Sequence, residues 1–167
     1  SGGVAASAFN QLNPDGKWDR IFLIGSSHRV YFDGASVYNC GNFETPLGTV
    51  KVDTETANKL IKDCKSIVFR DDAHATEHSL EVQLPFLQYH LKNEFQIVPI
   101  IIATQSVETI KKIAAALKPY FNPNNLFVIS SDFSHYPSYQ AAVEVDSATA
   151  SAILTNSPEK FLETIDF

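Results

Sequence analysis

Methionine is missing altogether from this 167-residue chain, and cysteine and tryptophan are scarce, with two and one. Cys40 and Cys64 form neither a Cys-x-x-Cys pair nor a disulfide framework, which excludes a small secreted scaffold held by bridges. Each reads as a buried free thiol in a reducing compartment. No apolar run approaches the roughly 20 residues that span a bilayer, and the first residues lack a charged-then-apolar leader. The chain therefore reads as cytoplasmic, with no membrane partner. Basic clusters are absent too, and a net charge of −6 leaves no face for phosphate backbones, so nucleic acid is excluded as a partner. Nor is there a P-loop, a dinucleotide fingerprint or a Gly-x-Ser-x-Gly elbow. The chain starts at Ser1-Gly2-Gly3 without methionine and stops at Ile165-Asp166-Phe167 without a terminal signal, which reads as a fragment.

What is present is an alternation of apolar runs and helical stripes. Ile21 to Ile24 are apolar without a break, the mark of a parallel strand covered on both faces, and Gly25 ends the run just before Ser26, Ser27 and His28. Leu126 to Ile129 repeat the plan and deliver Ser130, Ser131, Asp132 and His135. Chemistry in open α/β sheets gathers at the carboxyl ends of strands, so both deliveries fall where a site is expected. Val4 to Leu12 read as a short helix. Ala35 to Val52 read as short strands in a hairpin excursion, and Asp53 caps a helix over residues 54–63 with Ala57, Leu60, Ile61 and Cys64 on one side. Residues 66–70 make a short strand that runs into a loop, 71–79. Leu80, Leu84, Leu87 and Leu91 then share a helical face that Pro85 kinks or restarts.

Phe95 to Ile102 read as a strand whose Pro99 argues against a central place in the sheet. Ser106 caps a helix with an Ile110, Ile113, Ala114 and Leu117 stripe, residues 122–125 turn, Tyr139 to Leu154 form a helix, and Ser157-Pro158 start a last one. This alternation, without repeat or linker, predicts one doubly wound α/β domain over residues 1–167.

Four residue groups carry candidate chemistry. Asp132 and His135 are three apart, so one turn can aim both into a pocket where they share a proton or a metal; an Asx turn beside a solvated histidine fits equally. His74 and His78 have the four-residue spacing of a zinc pair, but His74 falls before the helix and Glu77-His78 fit a helix cap as well. His90 reads as a surface residue on the helix C-terminal dipole. Ser131 with Asp132 and His135 supplies the residue types of a hydrolase triad without its elbow.

Gly25-Ser-Ser-His28, Thr76-Glu-His-Ser-Leu-Glu-Val-Gln-Leu-Pro-Phe86 and Val128-Ile-Ser-Ser-Asp-Phe-Ser-His135, with Phe43-Glu-Thr-Pro-Leu-Gly48 and Phe95-Gln-Ile-Val-Pro99 between them, resemble the Memo-like family over essentially the whole chain. That family is similar in fold to extradiol ring-cleaving dioxygenases. The resemblance therefore implies an α/β domain with a mixed, mostly parallel sheet flanked by helices on both faces, here truncated at both ends. It also implies a non-haem Fe(II) or Cu site in which His28 is one ligand, with the family's other histidine and cysteine ligands outside this chain. His78, Asp132 and His135 are implied as proton donors, acceptors or substrate anchors, and Ser26, Ser27, Glu77 and Ser131 as pocket neighbours. A lone imidazole does not close a coordination shell, so this segment alone is expected to bind metal weakly or not at all, and the missing part to leave apolar surface uncovered. Three functions follow: a metal-dependent oxidoreductase of unknown substrate, a non-catalytic protein binding a peptide or small molecule, and a Ser/His hydrolase.

Overall fold

A computed structural model describes residues 2–165 and divides after Ser130 into two compact units. Ser1, Asp166 and Phe167, on which the reading of the chain as a fragment partly rests, lie outside the described residues.

The first unit is built on a seven-stranded sheet: β1 Arg20–Ser26, β2 Ala35–Val37, β3 Phe43–Thr45, β4 Gly48–Val52, β5 Ile67–Val68, β6 Gln96–Ile102 and β7 Asn125–Ser130. The order is β3-β4-β6-β1-β7, and β2 pairs with β6 and β5. The β1/β6, β1/β7, β4/β6 and β2/β5 pairs are parallel, whereas β2/β6 and the β3/β4 hairpin are antiparallel. The sheet is thus mixed and mostly parallel.

The unbroken apolar run of β1 has a direct cause. Ile21 and Leu23 enter one core with Phe9, Leu80, Leu84, Leu87, Leu91, Ile97 and Ile101. Phe22 enters the opposite core with Ala57, Leu60, Cys64, Val98, Ile100, Ile113 and Leu117, and partly buried Ile24 packs there too. Helices α1 (Gly2–Phe9) and α4 (Leu84–His90) supply the first face, and α2 (Thr54–Asp63) and α5 (Val107–Leu117) the second. Each fully buried Leu, Ile or Phe contributes roughly 1.5–3 kcal/mol before ordering costs, so two dry faces hold β1 centrally. Ring stacking adds to both, Phe9 on Phe86 at 5.3 Å and Phe22 on Phe127 at 4.5 Å.

The caps lie where the sequence puts them. Asp53 accepts from the Thr56 amide at 2.9 Å and Ser106 from the Thr109 amide at 3.3 Å. Burial pushes the Asp53 carboxyl upward, but Thr56 and Arg20 outweigh it and hold it below its usual range. Arg20 meets Asp53 at 2.7 Å and Asn125 at 3.1 Å, tying the start of β1 to α2 and β7.

Several expectations need correction. Pro99 sits in a central strand, because β4 leaves β6 at Ile97 and β2 joins it only at Ile100. Its carbonyl accepts from Tyr38 at 3.0 Å on that side, so the missing N–H falls in the gap between two neighbours. Residues 71–75 form a short helix, α3, rather than loop, and the strand expected over 66–70 is reduced to Ile67–Val68. In α5 the buried stripe is Thr109, Ile113 and Leu117, while Ile110 and Ala114 face solvent. Cys64 is buried but Cys40 is exposed. His90 is half-buried and bonds the Leu12 carbonyl through Nε2 at 2.8 Å, pinning α4 to the turn before β1.

The second unit holds α6 (Tyr139–Leu154) and α7 (Pro158–Ile165). Ser138 caps α6 through the Ala141 amide and Ser157 caps α7 through the Lys160 amide, each at 3.3 Å, with Pro158 in the first helical position. Tyr139, Val143, Val145, Ile153 and Leu154 of α6 are exposed, as is Ile129 of β7. No helix among the described residues is long and apolar enough to cross a membrane.

Candidate metal-ligand site

At the end of β1 three hydrogen bonds turn the chain outward. The Ser27 amide donates to Ile102 O at 2.9 Å. Its buried hydroxyl donates to Val30 O at 2.5 Å and accepts from the Val30 amide at 3.2 Å. Residues 27–30 are thereby closed into a turn with His28 at its outer edge. The 76–80 segment is drawn against the same strand end, where the Ser79 hydroxyl donates to Ser26 O at 3.1 Å. Gly25 permits that approach: a Cβ there would lie 2.7 Å from Ser79 Oγ and 2.9 Å from Leu80 Cδ2.

The approach delivers Glu77. Its side chain is only 4% exposed, and its Oε2 accepts from the His28 amide at 2.7 Å. Its Oε1 faces His28 Nδ1 at 3.0 Å and accepts from the His78 and Ser79 amides at 2.9 and 3.0 Å. Burial pushes this carboxyl upward, but the His28 and Ser79 donors outweigh it and hold Glu77 down at about 2. It is an anion at neutral pH. The His28 ring is 55% exposed, and its Nε2 has no hydrogen-bond partner among the described residues.

His78 lies beyond the same carboxylate, and its Nδ1 meets Glu81 at 2.6 Å with both side chains more than half exposed. His74 is in α3, its Nε2 2.9 Å from the hydroxyl of fully buried Ser36 and its ring between Tyr38 and Phe69. Burial drives this imidazole down to about 4, against the upward pull of Asp71, Ser36 and Glu77. His74 and His78 therefore have different partners and are not presented as a ligand pair.

In the second unit His135 Nε2 meets Asp132 at 2.7 Å, and His135 Nδ1 is 3.0 Å from the Phe133 carbonyl. The Asp132–His135 contact is real, and both residues are exposed. The Ser131 hydroxyl donates to the Asp132 carbonyl at 3.2 Å, not to His135. The hydroxyl of Ser130, in the first unit, accepts from Gln83 at 2.8 Å. Neither Ser130 nor Ser131 is thus paired with a histidine base in the manner a hydrolase nucleophile requires.

Among the described residues no group of three His, Cys, Asp or Glu side chains is placed to hold a metal ion. Of the histidines named from the sequence, His28 is held by the Glu77 carboxylate with its other ring nitrogen open. The sequence names Glu77 only as a pocket neighbour. The signal that could have raised it is its position in Thr76-Glu-His-Ser79, opposite a glycine-terminated strand.

The model of the family described as Memo-like protein matches residues 1–166. A MEMO1 family protein of Saccharolobus islandicus is 38% identical over 150 residues, covering 87% of this chain and 53% of its own length. Those of Aeropyrum pernix and Thermoplasma volcanium are 38% and 36% identical over 170 residues, covering 99% of this chain and 60% and 61% of theirs. The chain spans little more than half the length of these curated relatives. It belongs to the Memo-like family.

Proposed function

We propose that this chain contributes one ligand, His28, to the metal site of a metal-dependent oxidoreductase, with Fe(II) or Cu as the metal and its remaining donors outside these residues. One observation carries the reading. His28 stands at the carboxyl end of a central parallel strand, its ring half open to solvent, one nitrogen on a buried carboxylate and the other unengaged among the described residues. A carboxylate behind a ligating histidine is the usual support of such ligands. His78, backed by Glu81, and His135, backed by Asp132, are assigned proton-handling or substrate-anchoring roles in the same protein on their chemistry. A cytoplasmic setting belongs to this reading, supported by two free cysteines, one of them exposed.

The test is metal content of the longer protein, beside its His28→Ala variant. Iron or copper that falls at least tenfold on substitution is expected; a metal retained in full by the variant overturns the assignment. A second reading, a non-catalytic protein binding a small molecule or peptide, is favoured by the absence of a three-donor group among the described residues. Ligand binding indifferent to chelator selects it.

A further inference from the structure

We propose that Glu77 is a positioning residue that holds His28 in the tautomer with its proton on Nδ1, so that the Nε2 lone pair is the one presented outward. The backbone groups that reach the Glu77 carboxylate in this corner, the amides of His28, His78 and Ser79, are all N–H donors, and His28 Nδ1 and the Ser79 side chain meet it as well. A carboxylate only accepts, so a neutral His28 meets it well in one tautomer alone. Protonated on Nε2 instead, the ring sets a lone pair against Oε1 at 3.0 Å. Free histidine in water prefers the opposite tautomer, with its proton on Nε2. The corner therefore reverses the default.

The same carboxylate also receives the His78 amide, so one buried anion sets the ring of His28 and the start of the His78 turn together. This explains why the side chain is almost wholly enclosed while the ring it holds is open. An isosteric amide cannot do the same. In Glu77→Gln the amino group must face either the His28 amide or the group of donors at Oε1. In the second case His28 Nδ1 has to accept, which moves the ring proton to Nε2.

The use of the exposed lone pair rests on the metal reading, but the tautomer does not. The experiment is nitrogen-15 NMR of the histidine rings in the 167-residue chain at mildly alkaline pH, with His28→Ala assigning the signal. Wild type is expected to show Nδ1 protonated and Nε2 bare, and Glu77→Ala, which removes the acceptor altogether, to shift the proton toward Nε2. In a Zn2+ titration the variant is expected to bind at His28 at least tenfold more weakly. A wild-type ring protonated mainly on Nε2 overturns the proposal without any variant, so a misfolded Glu77→Ala does not shelter it. An unchanged tautomer in folded Glu77→Ala overturns it too. If the tautomer is as stated but the longer protein keeps its metal without His28, the ligand assignment fails and the positioning role stands.

Discussion

His28 and His74 each meet one buried polar partner, yet the two rings are enclosed to different degrees. At His28 the acid is enclosed and the ring is open; at His74 the hydroxyl is fully buried and the ring half-buried against it. Glu77 keeps its charge because three backbone amides and a ring N–H replace its water. His74 has no such replacement. Ser36 supplies a single neutral contact between two aromatic rings, and the imidazole responds by giving up its charge. The difference separates a histidine available for chemistry from one that belongs to the packing, and exposure alone does not make it. What matters is whether the charge in the pair has enough donors around it.

The sharpest way to break the contrast is Glu77→Ala. It strips the acceptor from three amides and a ring, and is expected to lower unfolding stability by about 3 kcal/mol in urea titrations. A loss near zero means that water replaces the carboxylate freely. Next is Ser36→Ala on the other side of the comparison. It leaves the Arg70 amide, bonded to Ser36 Oγ at 2.9 Å, and His74 Nε2 without their partner, and about 2 kcal/mol is the expected loss.

The smallest effect is a pH dependence. His74 titrates at about 4 in the folded chain against 6.5 for an ordinary histidine, so the unfolded chain takes the proton first. Stability should therefore fall as pH drops from about 6.5 toward about 4, by roughly 1–2 kcal/mol once partial solvent access is allowed for. His74→Gln should flatten that slope in denaturation curves measured across the window. A slope that survives the substitution shifts its origin elsewhere.

Much of the fold was legible because single residues announce it. Asp53, Ser106 and Ser157 each cap the helix they precede, and Leu80, Leu84, Leu87 and Leu91 share the face that their spacing predicts. Local rules decide such features within one or two turns. Pro99 misled because its cost depends on which neighbour pairs at that one position, and β4 and β2 share that edge in succession. Ile110 misled because α5 meets the sheet along a stripe that includes Thr109, and apolarity alone cannot choose between adjacent faces. Of the site, His28 was legible from the strand that delivers it. The role of Glu77 was not, since the two residues are 49 apart in sequence and meet only through Gly25 and Ser79.

The sequence by itself determined the α/β alternation, the centrality of β1 and the family, because hydrophobic period, caps and contiguous motifs are properties of short stretches. Only the tertiary structure decided which histidine is open and which is half-buried, and that Glu77 stands behind His28. Those outcomes depend on how many donors converge on one enclosed atom, and convergence is a property of distant segments brought together.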